Sequence, residues 1–329
     1  MNRGSQPVAG AALAAVGAAA LWGTTGTAQA LGPDASDPTS VGAARIILGA
    51  LVLVVLAWLE SHRAERPVRN AAEPVGGTSV PASWLDPTVA LGRLPRLVLV
   101  LLGGIAVAAY QACFFLGVAR AGVAVGTVVA LGVAPLATGL LGMLLGERPT
   151  ARWATATAGA VVGVLLLVAG SGTLEDGSGV AVGIAAALGA GLSYAGYTIA
   201  ARALLLRGVS GMVVMAGLFA VGALLLAPTL LVADLGWLST RSGLLMVLWL
   251  GVIATGLSYV LFQRGLSGLP ASTVASLSLA EPVTATLLGV VVLGEHLSAL
   301  TLTGILVVAL SLLLMALRRK TTPVAPEPV

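Results

Sequence analysis

Charged residues are scarce in this sequence of 329 residues: 9% are Asp, Glu, Lys or Arg, and 58% are hydrophobic. Soluble domains carry about 25% charged residues, so the composition disfavours a water-soluble fold. Cys113 is the only cysteine, which excludes an intrachain disulfide. With only two histidines besides, a protein-built zinc site lacks ligands, and we expect no metal and no cofactor. No GxxxxGKS/T string for holding ATP phosphates is present.

The sequence is instead rich in long apolar runs and in glycine. The mean hydropathy is +1.03 and there are 43 glycines, which lets membrane helices approach closely. A spanning helix needs roughly 20 mostly apolar residues. Ten such runs occur, at 8–30, 41–59, 94–118, 121–145, 151–169, 178–201, 210–232, 243–263, 270–293 and 298–317. The sequence therefore predicts an all-α polytopic membrane protein of ten transmembrane helices.

Two stretches and one alternative complete this division of the chain. Residues 62–93 are rich in charge, Pro and Gly and predict a solvated loop, with a candidate interfacial segment near Trp84. Residues 318–329 have no long apolar run and predict a disordered tail. The basic start and small-residue end of residues 1–30 also resemble a cleavable signal peptide. A counterpart of this segment inside the chain favours retention.

The basic residues predict the orientation. With the N-terminus inside, only Arg45, Arg120 and Arg241 of the 17 Lys and Arg residues fall on the outer side. Cytoplasmic segments of membrane proteins carry such an excess of Lys and Arg. We therefore expect both termini in the cytoplasm and the protein in the inner (plasma) membrane. The basic charge then needs no nucleic-acid partner.

An internal repeat relates residues 1–170 to residues 178–317. The first half contains Pro135 and a Gly-Glu pair ending at Glu147, and the second contains Pro282 and a pair ending at Glu295. Pro and Glu are 12 residues apart in one copy and 13 in the other. Because each half has five predicted spans, an odd number, the two five-helix repeats must be inverted in the membrane. Inverted repeats are common in secondary transporters, with the substrate site near the midplane.

These motifs carry a family resemblance. The Leu21-Trp22-Gly23 string, the duplicated Pro-to-Gly-Glu segment and the Glu281-Pro282 pair resemble the EamA family of the drug/metabolite transporter (DMT) superfamily, over roughly residues 8–317. The resemblance implies a ten-helix transporter of metabolites such as amino acids, commonly an exporter. The first copy departs from the pattern, since Ala134 replaces the acid before proline.

Glu281 is the main candidate for coupling transport to protons. It lies 11 residues from one end of its predicted span and 12 from the other. A charge there costs about 2.5–3.5 kcal/mol on insertion scales, so it must be neutral, paired or facing a wet cavity. Pro282 and Pro135 are the candidate helix breaks, each removing a backbone donor. A carboxyl hydrogen-bonded between helices, with no role in transport, is the alternative.

Polar and aromatic groups inside the spans are the candidate substrate-binding residues. They are Trp22, Thr24, Tyr110, Gln111, Ser193, Tyr194, Tyr197, Ser258 and Tyr259. A cavity with rigid aromatic walls and a few hydroxyls or amides suits a small amphipathic metabolite. The alternative for each residue is a hydrogen bond between neighbouring helices.

Other polar residues receive structural interpretations. We expect Arg45 to reach outward to Asp34 or Asp37, with a substrate carboxylate as the alternative, and Glu147 and Glu295 to shape turns. Gly265-Leu266-Ser267-Gly268 matches the GxSG string of rhomboid proteases. A serine nucleophile needs a base within hydrogen-bond reach, and His296 is predicted on the opposite side of the membrane. The sequence therefore predicts a transporter and no enzyme.

The predicted function is alternating-access transport of amino acids or related metabolites, as proton-coupled export. A passive channel, or a structural membrane protein without coupled transport, is the alternative. The expected partners are a small-molecule substrate, protons and the lipid bilayer, and a homodimer stays open.

Cysteine labelling tests the predicted orientation. In a Cys113→Ser background, single variants Asn2→Cys, Ser36→Cys and Thr322→Cys are treated in whole cells with a membrane-impermeant maleimide. We expect labelling of the Ser36→Cys variant alone, with the other two reacting only after lysis. Labelling of one terminus but not the other in intact cells would rule out an even number of spans.

Overall fold

The computed structural model describes residues 6–34, 36–64, 94–170, 179–294 and 298–316. The described residues form helices and short connections, with no strand among them. Residues 65–93 of the predicted loop, the segment near Trp84, Glu295, His296 and the tail at 318–329 lie outside these ranges.

Ten helical segments follow one another, and each predicted span has its helix. They are α1 (Gln6–Ala30), α2 (Pro38–Ala64), α3 (Arg96–Gly122), α4 (Val125–Leu145), α5 (Ala151–Gly170), α6 (Val180–Leu206), α7 (Gly211–Leu231), α8 (Arg241–Gly268), α9 (Ala271–Leu293) and α10 (Ala299–Ala316). Eight are long and apolar enough to cross a membrane, and α5 and α10 contain shorter apolar stretches. The predicted all-α polytopic membrane fold is confirmed.

Contacts at the helix ends show that the successive helices α7 and α8 run in opposite directions. At the end where α1 begins, called the Gln6 end, Ser210 before α7 donates to Glu60 of α2 over 2.7 Å. At the opposite end, called the Ala30 end, Trp237 before α8 donates to Ser40 of α2 over 3.0 Å. Helices α7 and α8 therefore start at opposite ends of α2.

The helix pairs follow the symmetry of a duplicated unit. Helix α1 packs on α8 and α9, and its counterpart α6 packs on α3 and α4. Helix α2 packs on α7 and α8, while α7 packs on α2 and α3. Helix α5 packs on its own counterpart, α10. Exchanging each helix for the one five places later reproduces these pairs, as expected of two inverted repeats.

Gly146 and Gly294, the glycines of the two Gly-Glu pairs, both end their helices in the same backbone conformation. Gly146 and Gly294 have φ of 75° and 73°, a left-handed conformation that glycine adopts without steric strain. After α4, Gly146 N–H donates to Met143 and Glu147 N–H donates to Gly142. These two bonds form a Schellman motif, which satisfies carbonyls at the helix end. The repeated glycine is therefore a helix terminator.

The helix breaks differ from the prediction in the first half. Pro135 lies inside a continuous helical segment, and the interruption falls at Gly122, with φ 82° and ψ 156°. The predicted break at Pro135 is therefore wrong. In α9 the helix is interrupted at Ser278 and Leu279, just before Pro282. Pro282 frees no carbonyl, because Glu281 N–H donates to the Ser278 oxygen over 2.9 Å.

Glycines let helices of the two halves meet at backbone distance. A Cβ at Gly23 of α1 would lie 2.7 Å from the Glu281 carbonyl oxygen of α9 and 3.1 Å from the Ala285 nitrogen. One turn later, a Cβ at Gly26 would meet nothing within 4 Å. The Leu-Trp-Gly string therefore holds α1 against the middle of α9.

This difference predicts opposite effects of one methyl group. Gly23→Ala should lower the stability of the purified protein by about 1–3 kcal/mol, because the backbone of α9 must move. Gly26→Ala is the matched control and should leave stability unchanged or raise it, since alanine favours a helix by about 0.5–1 kcal/mol over glycine. Thermal unfolding in one detergent measures both, and equal melting temperatures would contradict the close α1–α9 contact.

Candidate functional site

Trp22 ties α1 to α8 at the middle of the bundle. Its indole N–H donates to the Ser258 hydroxyl over 2.9 Å, and that hydroxyl donates to the Ala254 carbonyl over 2.8 Å. The Trp22 ring centroid lies 5.2 Å from that of Tyr259 and 5.3 Å from that of Phe262. Such centroid distances are typical of packed aromatic pairs. The structure thus brings together Trp22, Ser258 and Tyr259, as the sequence predicts.

The four tyrosines join the same group, which we call the aromatic cluster. It consists of Trp22, Tyr110, Tyr194, Tyr197, Phe219, Tyr259 and Phe262. The hydroxyls of Tyr197 and Tyr259 are 3.2 Å apart, and the Tyr194 hydroxyl lies 2.8 Å from that of Ser278. These hydroxyls satisfy one another, so Tyr194, Tyr197 and Tyr259 form a rigid wall.

Sequence reasoning missed Phe262, Phe219 and Ser278. Phe262 follows Tyr259 by three residues on α8, so helical spacing places both on one face. Ser278 marks the interruption of α9, which the sequence placed at Pro282.

Thr24 and Ser193 make none of the contacts of the aromatic cluster. The Thr24 hydroxyl donates to the Leu21 carbonyl over 2.7 Å and accepts from the Trp249 indole over 2.9 Å. Trp249 is 44% exposed on the outside of the bundle. Ser193 is half-buried, and its side-chain hydroxyl makes no hydrogen bond with any described residue. The hydroxyl of Thr24 thus serves contact between helices α1 and α8.

Glu281 occupies the middle of α9 with a free carboxylate. It is the eleventh of the 23 residues from Ala271 to Leu293. The residue is half-buried, and its carboxylate has no hydrogen-bond or ion-pair partner among the described residues. The alternative of a carboxyl hydrogen-bonded between helices therefore does not match the structure.

Arg45 lies deeper than the sequence predicted. Helix α2 begins at Pro38 and not at residue 41, because Asp37 accepts a hydrogen bond of 2.8 Å from the Ser40 amide. Arg45 is thus about two turns inside the helix. Its Nε is buried without a hydrogen-bond partner, and its charge lies in electrostatic range of Glu281, Tyr110 and Tyr259. The predicted pairing with Asp34 or Asp37 is absent from the described residues.

Glu147 connects the two halves at the Gln6 end. Its Oε1 accepts from the Ala271 amide at the start of α9 over 2.9 Å and from Arg202 Nε of α6 over 3.4 Å. Arg202 also donates to the Leu266 carbonyl of α8. We call Glu147, Arg202, Leu266 and Ala271 the Glu147 cluster. Glu147 takes part in the turn after α4 through its backbone N–H, as expected, and its side chain also reaches the other repeat, which the sequence did not predict.

Burial and charge act in opposite directions on Glu147. Burial disfavours the charged carboxylate and raises its pKa, while the Ala271 amide and the Arg202 guanidinium partly offset this. The net pKa is above the ordinary value. Glu147 in this cluster therefore holds a proton more tightly than a water-exposed carboxyl group would.

Ser267 of the GxSG string has no histidine beside it in the described structure. Its hydroxyl donates to the Gln263 carbonyl over 2.7 Å. The ring nitrogen Nδ1 of His62 instead lies 2.9 Å from the Trp58 carbonyl oxygen, one turn earlier in its own helix.

Comparisons with known proteins agree with this architecture. A model of the EamA-like transporter family matches residues 9–169 and again residues 181–317. The chain belongs to the EamA-like transporter family. The match covers both five-helix halves separately, and the protein is a multi-pass membrane transporter.

Two relatives and one solved structure are similar over most of the chain. An uncharacterized transporter of Bacillus subtilis, YwfM, is 38% identical over 307 residues, covering 91% of each chain. An uncharacterized protein of Pseudomonas aeruginosa, PA1977, is 30% identical and covers 82% of this chain and 80% of the relative. A crystal structure at 23% identity has a TM-score of 0.70, over 92% of this chain and 95% of the other. That structure supports the fold.

The pKa of Glu147 predicts how stability depends on pH. Because the folded state binds the proton more tightly than the unfolded state, stability should fall as pH rises from the ordinary value of 4.5 through the raised pKa. Glu147→Gln removes this titration, so the wild type should lose stability relative to the variant over that interval. Thermal melts across pH measure the difference, with Arg148→Gln, an exposed neighbour, as the control. A difference that grows in favour of the wild type with rising pH would contradict this sign.

Proposed function

We propose that the chain is a secondary transporter that moves amino acids or related metabolites by alternating access, driven by protons. The observation that carries this proposal is Glu281, which lies midway along α9 and whose carboxylate has no hydrogen-bond or ion-pair partner among the described residues. Ionisable groups at this depth are rare and usually mark substrate, ion or proton pathways. The aromatic cluster beside it supplies rigid apolar walls for a small solute.

The Gln6 end is proposed as the cytoplasmic side of the inner membrane. Among the described residues Arg96, Arg152 and Arg207 lie there, bonded to carbonyls of neighbouring helix ends. The sequence assigns all but three of its 17 Lys and Arg residues to this side, in accordance with the positive-inside rule. Both termini are then cytoplasmic.

The packing of α9 supports an arrangement closed at the Gln6 end. Its first segment, Ala271–Leu277, packs on the part of the chain formed by α3 and α4. The Ala271 amide at the start of this segment donates to the Glu147 carboxylate. Its second segment, Ala280–Leu293, packs chiefly on α1 and α10. Helices α4 and α9 are thus joined at one end of the bundle and not at the other. Alternating access follows when the Glu147 cluster breaks and the corresponding opposite ends close.

Glu281 is proposed to couple this motion to protons. A charged carboxylate is stable in water but costs free energy when the site closes around it without a compensating charge. Its protonation therefore depends on which end is open. A proton would bind from the outside and be released into the cytoplasm. The substrate would bind from the cytoplasm and be released outside, which gives export.

Replacing Glu281 tests the coupling. Glu281→Gln in proteoliposomes, loaded with a mixture of labelled amino acids, should reduce proton-driven flux at least about tenfold, as expected when a proton-transferring group is lost. Exchange between internal and external amino acids, which needs no net proton movement, should persist. Glu60→Gln, an exposed acid at the Gln6 end, is the matched control.

The same assay separates coupled transport from the alternatives. Flux that survives both Glu281→Gln and collapse of the proton gradient indicates a passive channel. Absence of flux and of exchange for every amino acid indicates another substrate class or a structural role.

A further inference from the structure

Arg45 is a cation inside the bundle without a partner of its own. Its Nε is buried and makes no hydrogen bond, and no carboxylate of the described residues lies within ion-pair distance of its guanidinium. The residue as a whole is only half-buried. A buried charge without compensation is strongly destabilising, so a stable protein supplies either a pairing group or a ligand. Helix α2 thus places the Arg45 guanidinium in electrostatic range of Glu281 but, among the described residues, without an ion pair.

The position of Arg45 on α2 directs it between α3 and α8. One turn before it, a Cβ at Gly42 would run into the Gln111 amide of α3. One turn after it, a Cβ at Gly49 would run into Thr255 of α8. Residues one turn apart share a helix face. The charge of Arg45 accordingly acts on Tyr110 of α3 and Tyr259 of α8.

Two neighbours of this position offer further unused polar groups. Gln111 is only 5% exposed, yet its amide makes no hydrogen bond to the described residues. Tyr110 is half-buried, and its hydroxyl also makes no hydrogen bond to the described residues. Its ring packs on those of Tyr194 and Tyr197. Buried amides and hydroxyls are normally hydrogen-bonded. The Arg45 guanidinium, the Gln111 amide and the Tyr110 phenol therefore lie in one region of the bundle, and no hydrogen bond joins any of the three groups to another side chain of the described residues.

We propose that Arg45 binds a carboxylate of the substrate, with Gln111 and Tyr110 as neutral donors beside it. This inference rests on the proposed transport function and specifies the substrate class. A guanidinium presents a fork of N–H donors that matches the two oxygens of a carboxylate. Glu281 also lies in electrostatic range. With Glu281 protonated, a monoanionic carboxylate balances the single positive charge of Arg45, whereas a phosphate monoester, near −2 at neutral pH, leaves an excess negative charge.

Matched ligands test the carboxylate requirement. The panel contains leucine, leucinamide and 4-methylpentanoate, then phenylalanine, phenylalaninamide, 3-phenylpropionate and phenyl phosphate, then the remaining amino acids. Binding to the purified full-length protein is read by ligand-induced thermal stabilisation, and transport by counterflow in proteoliposomes. We expect at least one carboxylate to bind, its amide to bind much more weakly, and phenyl phosphate not to compete.

Variants at Arg45 assign this preference to the side chain. Arg45→Gln should weaken carboxylate binding about 10- to 100-fold, as expected for a lost hydrogen bond to a charged group. Amide binding should stay unchanged. Arg45→Lys should fall between the two, because it keeps the charge without the fork. Arg264→Gln, exposed at the Gln6 end, is the control, and size-exclusion profiles show that each variant is folded.

The outcomes separate this inference from the proposed transport. Carboxylate binding lost in Arg45→Gln without counterflow supports the anion site and contradicts transport. Counterflow of amides or amines that Arg45→Gln leaves intact supports transport and overturns the anion site. No binding by any carboxylate of the panel also overturns it.

Discussion

The low polarity of the membrane interior governs this structure. Charges there are stable only beside a partner, water or a ligand, and the bundle meets this demand differently at two levels. At the Gln6 end, Glu147 and Arg202 pair and also bond to backbone groups of α8 and α9. Near the centre, Arg45 and Glu281 have no such partners among the described residues. The first arrangement holds helices together, and the second is where the proposed proton and substrate carboxylate would bind.

Small residues make this division possible. Gly23 brings α1 against the backbone of α9, and Gly191 does the same for α6 on α4, where a Cβ would lie 2.8 Å from the Ala130 oxygen. These are corresponding contacts of the two repeats. Each contact joins a helix of one half to a helix of the other, so close packing holds the two halves together at two related places. The aromatic cluster also lies between the halves, built from α1, α3, α6, α7 and α8.

The sequence predicted the helices well because hydropathy acts over whole spans and needs no knowledge of neighbours. It also predicted that Trp22, Ser258 and the four tyrosines come together, through their common depth in the spans. It failed where the outcome depends on one particular contact or residue. The contact of Glu147 with Ala271 spans 124 residues. The depth of Arg45 in its helix depends on a helix start that one Asp37 hydrogen bond places at Pro38. Pro135 stayed helical while Gly122 bent the chain.

Helix α9 has two partners because it has two parts. The interruption at Ser278 and Leu279 acts as a joint between the segment that Glu147 holds and the segment that carries Glu281. An unbroken helix would transmit every displacement of its start at the Gln6 end directly to the Glu281 carboxylate. With the interruption, the first segment can move while the second stays packed on α1 at Gly23. In the proposed cycle, opening of the Gln6 end and proton release would then be separate steps.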